Sequence, residues 1–573
     1  MRSATLPPMR IPNLLATRWG RLTAFFFLYV TEGIPLGFAA TAVATQLRRQ
    51  DVGPAEIGAF VGSFYLPWAF KWAFGPFIDV FTSERLGRRR GWILGTQLML
   101  IVTLLACTGL NLPAQLGLLT VVLLVHNSFG AMQDVAIDAL AVATLHEDER
   151  GLANGVMFAG AALGTALGGS GVLFLMPVLG LKGGFVFVAA SIAAVTVFIV
   201  LPLRETATPL AQRRLAGMAS AAREMKRFSV EAFHSFLGTR GAFAGLFFAL
   251  LPAGAMSLGL ALQSNLAVEV GMSDDDVAWL SLGSQVIAAA SMVIGGLLSD
   301  RLGRRRTLFV YLALMSLPVL YLMGVLIEHQ WILPAAQSDA VRRVAAPALV
   351  SAVWLATLLY ALPQGLMYGT RSALFMDVTN PAVAATQFTA YMAMMNLAIA
   401  YSATWQGIAI EVLGYPKTLL IDAVTGVLCL AVLPFIKPSA APGGDGGGAQ
   451  RARWLAAVLA SACLAWLPYR AGVWDTGAAA PMFETLFTLV FVASAVFLAA
   501  GSAALGKSAS LLGRLGLVLA PLLLAMYVRR WWPQVEGLYF VVPAAAALVL
   551  AAQARLSWQV LDLAPGPAQA EPA

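Results

Sequence analysis

The segment Gly75-Pro76-Phe77-Ile78-Asp79, followed by Leu86-Gly87-Arg88-Arg89-Arg90, returns in the second half of the chain as Gly296-Leu297-Leu298-Ser299-Asp300, followed by Leu302-Gly303-Arg304-Arg305-Arg306. Each copy joins one apolar run to the next through a glycine, an aspartate and a tight basic turn. The first copy carries a few extra residues between its aspartate and its second glycine. One basic loop beside an apolar run reflects only the excess of Lys and Arg on the cytoplasmic side of membrane proteins. Two copies at matching places mark an internal repeat, and a repeat constrains the architecture before any residue receives a role.

The surrounding composition sets the medium. Of 573 residues, 59% are hydrophobic and only 12% are charged, where soluble domains carry about a quarter charged. Apolar runs of roughly 20 residues, the length that crosses a bilayer as a helix, recur along the chain, which fits helical spans and not the weakly alternating strands of an outer-membrane barrel. The net charge of +8 sits in short loops beside those runs, the positive-inside pattern, and not in a nucleic-acid-binding patch. The first run, at 22–45, carries an Ala42-Val43-Ala44 sequence resembling a signal-peptidase site, but it is too long for a signal segment and reads as the first span. Cys107, Cys429 and Cys463 lie far apart in apolar runs, as packing residues do.

Six spans are expected at 22–45, 57–81, 92–110, 116–145, 155–178 and 185–203, and six more at 242–268, 276–298, 307–327, 348–375, 382–412 and 415–435. The domain plan is therefore a six-helix bundle over 1–203, a cytoplasmic connection over 204–240, a second six-helix bundle over 241–436 and a Gly-rich linker over 437–453. About four appended helices over 454–556 and a disordered tail over 557–573 complete it. In the connection, Leu215, Met218, Ala222 and Met225 recur at helical spacing, predicting an amphipathic helix on the membrane surface. Gly160, Gly164 and Gly168 in span 5 form a small-residue ridge for close helix packing.

Charge inside the spans is the functional signal, because an ionisable group near a bilayer centre costs on the order of 3 kcal/mol. Span 4 holds Gln133-Asp134-Val135-Ala136-Ile137-Asp138, with the aspartates at i and i+4 on one face. Span 1 adds Glu32, span 2 Lys71, and span 10 Arg371. A carboxylate whose proton affinity changes as access changes can couple flux to a proton gradient, and the expected proton-coupling residues are Asp138, Asp134 and Glu32. The competing structural reading pairs an aspartate permanently with Lys71 or Arg371. Lys71, Gln133, Arg371, Tyr65, Trp68, Gln263 and Gln387 are the expected substrate-binding residues. Gly75, Asp79, Gly87, Arg88, Arg89, Gly296, Asp300, Gly303, Arg304 and Arg305 are the expected gating motif.

Other patterns carry less. Gly501 to Ser508 spells a P-loop, but it lies between apolar runs without the strand and α/β domain that a nucleotide site needs. His126, His146, His234 and His329 are scattered, and the sequence holds no metal-binding or Ser/His/Asp arrangement, so no metal, cofactor or enzymatic activity is expected.

The duplicated loop motif in two six-span halves resembles the major facilitator superfamily. That resemblance implies two six-helix bundles around a central cavity with alternating access, with helices 1, 4, 7 and 10 lining it. Three pieces narrow the likeness: Glu32-Gly33-Ile34-Pro35-Leu36-Gly37, Phe70-Lys71 through Gly87-Arg88-Arg89-Arg90-Gly91-Trp92, and Gln133-Asp134 with Asp138. Together with Thr386-Gln387-Phe388-Thr389, they resemble the AmpG-like muropeptide permeases and the related acetyl-coenzyme A transporters, over roughly residues 20 to 436. The resemblance implies proton-driven import of a cell-wall sugar-peptide through Asp134, Asp138 and Lys71. It also implies an inner-membrane location with both termini cytoplasmic, and small-molecule, proton and lipid partners for a monomer. Carriage of acetyl-coenzyme A or another phosphorylated anion is the alternative substrate reading. A transporter-like receptor or a membrane enzyme is the alternative of another class. Glu32 and the size of the C-terminal extension depart from the permease pattern.

Overall fold

The computed structural model describes residues 13–75, 78, 81, 86–145, 150–205, 223, 226–227, 230, 233–334, 344–378, 384–437, 446–505, 510–526, 537–556 and 558. Among these the helices carry the regular structure, as lipid demands of a backbone that has no water to bond with. In the first half, α1 spans Arg18–Arg49, α2 Pro54–Ala69, α3 Arg90–Cys107 and α4 Leu116–Thr144. Helix α5 starts at Arg150–Ala166, passes through a π-helical stretch at Leu167–Gly171 and ends where Gly180 (φ 62°) breaks the run Val172–Val195; α6 follows that break. In the second half, α7a is Arg240–Leu250, α7b Ala261–Glu269, α8 Asp274–Leu302, α9 Arg304–Glu328, α10 Pro347–Val378, α11 Ala384–Leu413 and α12 Tyr415–Val432. The appended helices are α13 Gly448–Arg470, α14 Ala480–Leu505, α15 Ser510–Ala525 and α16 Leu538–Gln553.

Several boundaries depart from the sequence expectation; span 2, expected over 57–81, leaves the α-helix at Ala69. Helix α13 begins at Gly448, inside the stretch read as linker, and keeps Pro468 in its last turn. More consequentially, span 7 is not one helix. Pro252 has no amide hydrogen to donate and Gly254 adopts φ 72°, so the helical ladder stops at Leu250 and resumes only after a short turn at Ser257–Gly259. The helix ends that this exposes are held by buried side chains from three other helices. Arg371 of α10 donates through Nη2 to the carbonyls of Phe248 (2.9 Å) and Ala249 (3.4 Å), and the Tyr401 hydroxyl donates to Leu250 (2.6 Å). Tyr360 donates to Ala255 (2.8 Å), while Asp422 of α12 accepts from the amides of Met256 (3.2 Å) and Ser257 (2.9 Å). A cation thus sits at a helix C-terminus and an anion at the start of the next helical turn, each where the peptide dipoles favour it.

The duplicated turn is geometrically duplicated as well. Gly87 and Gly303 both have φ 92°, and each immediately precedes the basic turn that opens a helix. In the first copy, Glu205 accepts from the amides of Arg89 (2.9 Å) and Arg90 (2.5 Å), a carboxylate seated on the first turn of α3. The Arg89 guanidinium reaches the Ile78 carbonyl at 3.0 Å. In the second copy, Arg304 bonds the Ala373 carbonyl (3.0 Å) and the Asp377 carboxylate (2.6 Å). Asp79 and the amphipathic segment with Leu215, Met218, Ala222 and Met225 lie outside the described residues, as does the Gly506–Ser508 part of the P-loop-like stretch. Gly75 and Gly296, the glycines that open the two copies of the motif, have open space where a Cβ would stand. The crowded position is Gly295, whose Cβ would meet the Leu366 carbonyl.

The glycine ridge of α5 does what its spacing predicts. Cβ atoms at Gly160, Gly164 and Gly168 would collide with the carbonyls of Phe26, Val30 and Ile34 of α1, and Gly33 and Gly37 of α1 are equally tight against α5. Helix α1 is thereby locked in height and rotation, which decides where Tyr29, Thr31 and Glu32 point.

The end of the molecule opposite the basic turns is where the halves are latched together. Arg48 pairs with Glu269, which also accepts from the Tyr415 hydroxyl at 2.7 Å. Arg49 meets Asp274 at 2.5 Å and the Met272 carbonyl at 2.6 Å, and Gln46 reaches Asp274 at 2.8 Å. Gly58 and Gly407 bring α2 and α11 into backbone contact nearby. At the basic end, the described ion pair Arg304–Asp377 stays within one bundle.

Two outcomes follow for stability, both readable as thermal unfolding in detergent. Gly303→Ala loses about 1–2 kcal/mol because its backbone is left-handed, whereas Gly296→Ala, with open space and helical geometry, is close to neutral. Asp422→Ala, which strands two buried amides, loses roughly 1–3 kcal/mol, and Asp422→Asn, which keeps one acceptor oxygen, loses less.

Candidate functional site

Lys71 does not lie within a regular helix. Helix α2 stops at Ala69, and Lys71 begins a 3-10 turn, Lys71–Ala73, that carries its ammonium group toward α4. There Nζ stands 2.7 Å from Asp134 Oδ2 and 4.0 Å from Asp138 Oδ2. The i, i+4 spacing brings both carboxylates to one cation, and the tertiary structure then separates them. The Asp134 side chain is 6% exposed and locked in the ion pair, whereas that of Asp138 is 46% exposed and takes a hydrogen bond from the Tyr29 hydroxyl at 2.8 Å.

Glu32 completes the cluster from α1. It lies within electrostatic reach of Asp134, Asp138 and Lys71, and its Oε1 is buried without a hydrogen-bond partner. Three carboxylates therefore share one described cation in a segment where unpaired charge is strongly disfavoured. Such a group can be neutral only if protons accompany the carboxylates, and Asp138 is the member that combines accessibility with a neutral hydrogen-bond donor.

The other expected site residues divide into those near this cluster and those elsewhere. Gln133 is fully buried and donates to Thr31 Oγ1 at 2.9 Å; Thr31 also meets Gln97 (3.5 Å), which accepts from Thr196 at 2.6 Å. That chain stitches α4, α1, α3 and α6 together, so Gln133 acts as a bracing group and is withdrawn from any substrate surface. Arg371, 2% exposed, caps α7a and lies over the Phe248 and Phe375 rings at 5.3 and 5.8 Å. It pairs with neither aspartate of α4, which removes it from both the substrate role and the ion-pair role expected of it. Gln387 is fully buried against the Tyr391 hydroxyl (3.3 Å) and the Ser235 carbonyl (3.5 Å), where α11 meets the entry to α7a. Trp68 packs toward Gly130 of α4, and Tyr65 lies within electrostatic reach of Tyr368 of α10; both Tyr65 and Trp68 are half-buried. Gln263 is half-buried on α7b.

Two functional groups escape a reading of the sequence. Tyr29 stands one helical turn before Glu32, and that spacing is the signal that would have placed it beside the carboxylates. Asp422 is a lone acid inside the apolar run of span 12, so the cost of its charge marked it, but its partners are backbone amides that no side-chain pattern announces. Among the described residues no group of His, Cys, Asp and Glu is arranged to hold a metal ion. His126 is buried against Thr103 at 2.8 Å, and the three cysteines are free and buried.

The sequence pattern of the Major Facilitator Superfamily matches residues 22–259. The anhydromuropeptide permease of Escherichia coli (strain K12) is 24% identical over 419 residues, covering 72% of this chain and 79% of that protein. The putative transporter AmpG 4 of Rickettsia felis is 24% identical over 185 residues, covering 31% of this chain and 44% of that protein. Among solved structures, the inward-open xylose transporter XylE from E. coli superposes with a TM-score of 0.53 at 13% identity, covering 73% of this chain and 97% of that one. A POT family transporter in complex with 5-aminolevulinic acid gives 0.55 at 12% identity, covering 73% and 96%. With the repeated turn, the paired bundles and the charge cluster between α1, α2 and α4, the chain is a multi-span membrane protein with the major facilitator fold, and its likenesses are to transporters, the AmpG-like permeases among them, and not to enzymes.

Proposed function

We propose that the chain is a proton-coupled importer of an anhydro-muropeptide-like sugar-peptide, working by alternating access across the inner membrane with both termini in the cytoplasm. The observation that carries the coupling is the division of labour around Lys71: a locked Asp134 at 2.7 Å and an accessible Asp138 at 4.0 Å that is held by a tyrosine hydroxyl. The likeness to the permease of E. coli supports the substrate class. The basic turns at one end of the bundles support the orientation through the positive-inside rule.

In this reading, a proton on Asp138 removes one of the two charges that compete for Lys71. The ammonium then belongs to Asp134 alone, α2 and α4 are less tightly tied, and with a second proton on Glu32 the cluster is neutral and can pass through the occluded state without carrying bare charge across an apolar barrier. Loss of the proton toward the other side restores the shared ion pair and resets the carrier. Glu32 holds a second protonatable carboxylate beside the first and adjusts how readily the cluster discharges. Tyr65 and Trp68, facing the interface of the halves and α4, offer flat apolar surfaces for sugar rings.

Asp138→Asn fixes the neutral form. Reconstituted in proteoliposomes with an imposed pH step, this variant is expected to lose uphill accumulation of anhydro-muropeptide while keeping exchange of labelled for unlabelled substrate. Accumulation at the wild-type level would remove Asp138 from the coupling role, and a loss of both reactions would point to binding. Lys71→Ala leaves Asp134 buried without its counter-ion and costs about 3–5 kcal/mol in stability; the double variant Lys71→Ala with Asp134→Ala recovers most of that in the same thermal unfolding measurement.

A further inference from the structure

The latch that joins the two halves contains polar atoms that its closed form leaves unsatisfied. On α7b, Ser264 donates to the Ala40 carbonyl of α1 at 3.4 Å, and Glu269 pairs with Arg48 near the end of α1. A helix advances about 100° per residue, so Asn265 falls between those two directions and faces α1. Asn265 is 1% exposed, yet neither its Oδ1 nor its Nδ2 has a hydrogen-bond partner. On α1, Thr45 falls by the same geometry between Arg48 and Arg49, is fully buried, and leaves its Oγ1 unbonded. Bonding across the seam therefore weakens inward from the end of the molecule. Arg49 meets Asp274 at 2.5 Å and Arg48 is buried with Glu269, whereas the side chains of Thr45 and Asn265 make no hydrogen bond and Ser264 makes only a long one.

An amide or hydroxyl that gives up water without gaining a partner destabilises the state that buries it. Packing does not call for these two groups, because apolar side chains of the same shape would fill the seam at least as well. Thr45 belongs to the first half and Asn265 to the second, so parting of the halves at this end is the motion that returns water to both. We infer that Asn265 and Thr45 are a counterweight to the latch. Their desolvation raises the closed form in free energy and offsets the buried pair of Arg48 and Glu269, which keeps the open and closed forms close enough to exchange. A switch needs that balance, since a ligand moves a two-state body only by its difference in affinity for the two forms. The inference rests on alternating access and is independent of which solute is carried.

The test measures distances across the latch in the reconstituted full chain. Spin labels are placed at Glu56→Cys on α2 and Asp275→Cys on α8, both exposed and on opposite halves, with Cys107, Cys429 and Cys463 replaced by Ala. Double electron–electron resonance then reads the closed form as a short distance and the open form as a long one. Glu269→Gln, which weakens the latch and keeps an acceptor for Arg48, is expected to enlarge the long-distance population. Adding Asn265→Leu with Thr45→Val is expected to shrink that population by about tenfold or more and to raise the melting temperature, whereas adding Thr45→Ser, which keeps the hydroxyl, leaves both unchanged. A long-distance population that persists in the apolar pair overturns the counterweight and leaves alternating access standing. The absence of any long-distance population, in Glu269→Gln as in the parent, overturns both. Weaker solute binding with unchanged distances makes Asn265 a solute contact and also overturns the inference. If the leucine variant does not fold, Thr45→Val, which keeps the side chain's shape, decides alone by a smaller shift in the same direction.

Discussion

The cost of an uncompensated polar group in lipid organises this molecule. An apolar bilayer gives no water to a bare carboxylate, ammonium or broken helix end, so each such group must find its partner inside the protein. The structure contains two solutions to that problem. In the first half, Lys71 gathers Asp134 and Asp138 around itself with Tyr29 and Glu32 alongside. In the second half, Arg371, Tyr360, Tyr401 and Asp422 surround the interruption of helix 7.

The two clusters differ in their balance of charge, since each leaves buried polar atoms unbonded: Arg371 Nε, Ser257 Oγ and Gln406 Oε1 around helix 7, and Glu32 Oε1 near Lys71. Around helix 7 the bonds are made to backbone groups whose positions follow from the fold, and the buried charges are held by helix ends, an amide from Gln406 at 2.8 Å and aromatic faces. Around Lys71 the carboxylates outnumber the described cation, one buried carboxylate oxygen of Glu32 has no partner, and one aspartate remains accessible. An excess of acid over base in a low-dielectric site is a place for protons, whereas a matched set of caps is a brace. That contrast, and not the mere presence of charge in a span, is why coupling is proposed for the Lys71 cluster and not for the bracing around helix 7.

Glycine and ion pairs place these clusters relative to each other. The reciprocal glycines of α1 and α5 bring the two backbones close enough that Thr31 and Tyr29 reach α4. The polar latch joining α1 to α7b and α8 closes one end of the assembly; its Arg49–Asp274 pair is partly exposed, whereas Arg48 and Glu269 are buried together and costly to part. The appended helices form their own apolar core around Trp466, Phe487 and Leu498, and contact the transporter body through Phe233, Leu237 and Phe243.

The sequence alone determined the architecture, because the signals for it are local and additive: long apolar runs, a repeated basic turn whose glycines share φ 92° in both copies, and glycines at every fourth position of span 5. It also singled out Asp134, Asp138, Glu32 and Lys71 as charges within spans, since a charge in an apolar run is conspicuous in one dimension. Partnership was beyond it. Arg371 and Lys71 look alike as lone cations in spans, yet one caps carbonyls within its own half and the other bridges two carboxylates. Gln133 adjoins Asp134 in the chain, but a helix turns about 100° per residue, and this single step carries Gln133 into a buried polar chain. The break in helix 7 was written in Pro252 and Gly254, but a span tolerates such residues either as a kink or as a gap. Only the presence of Asp422, Tyr360, Tyr401 and Arg371 around it, residues far away in the chain, supplied the hydrogen bonds that make the gap stable.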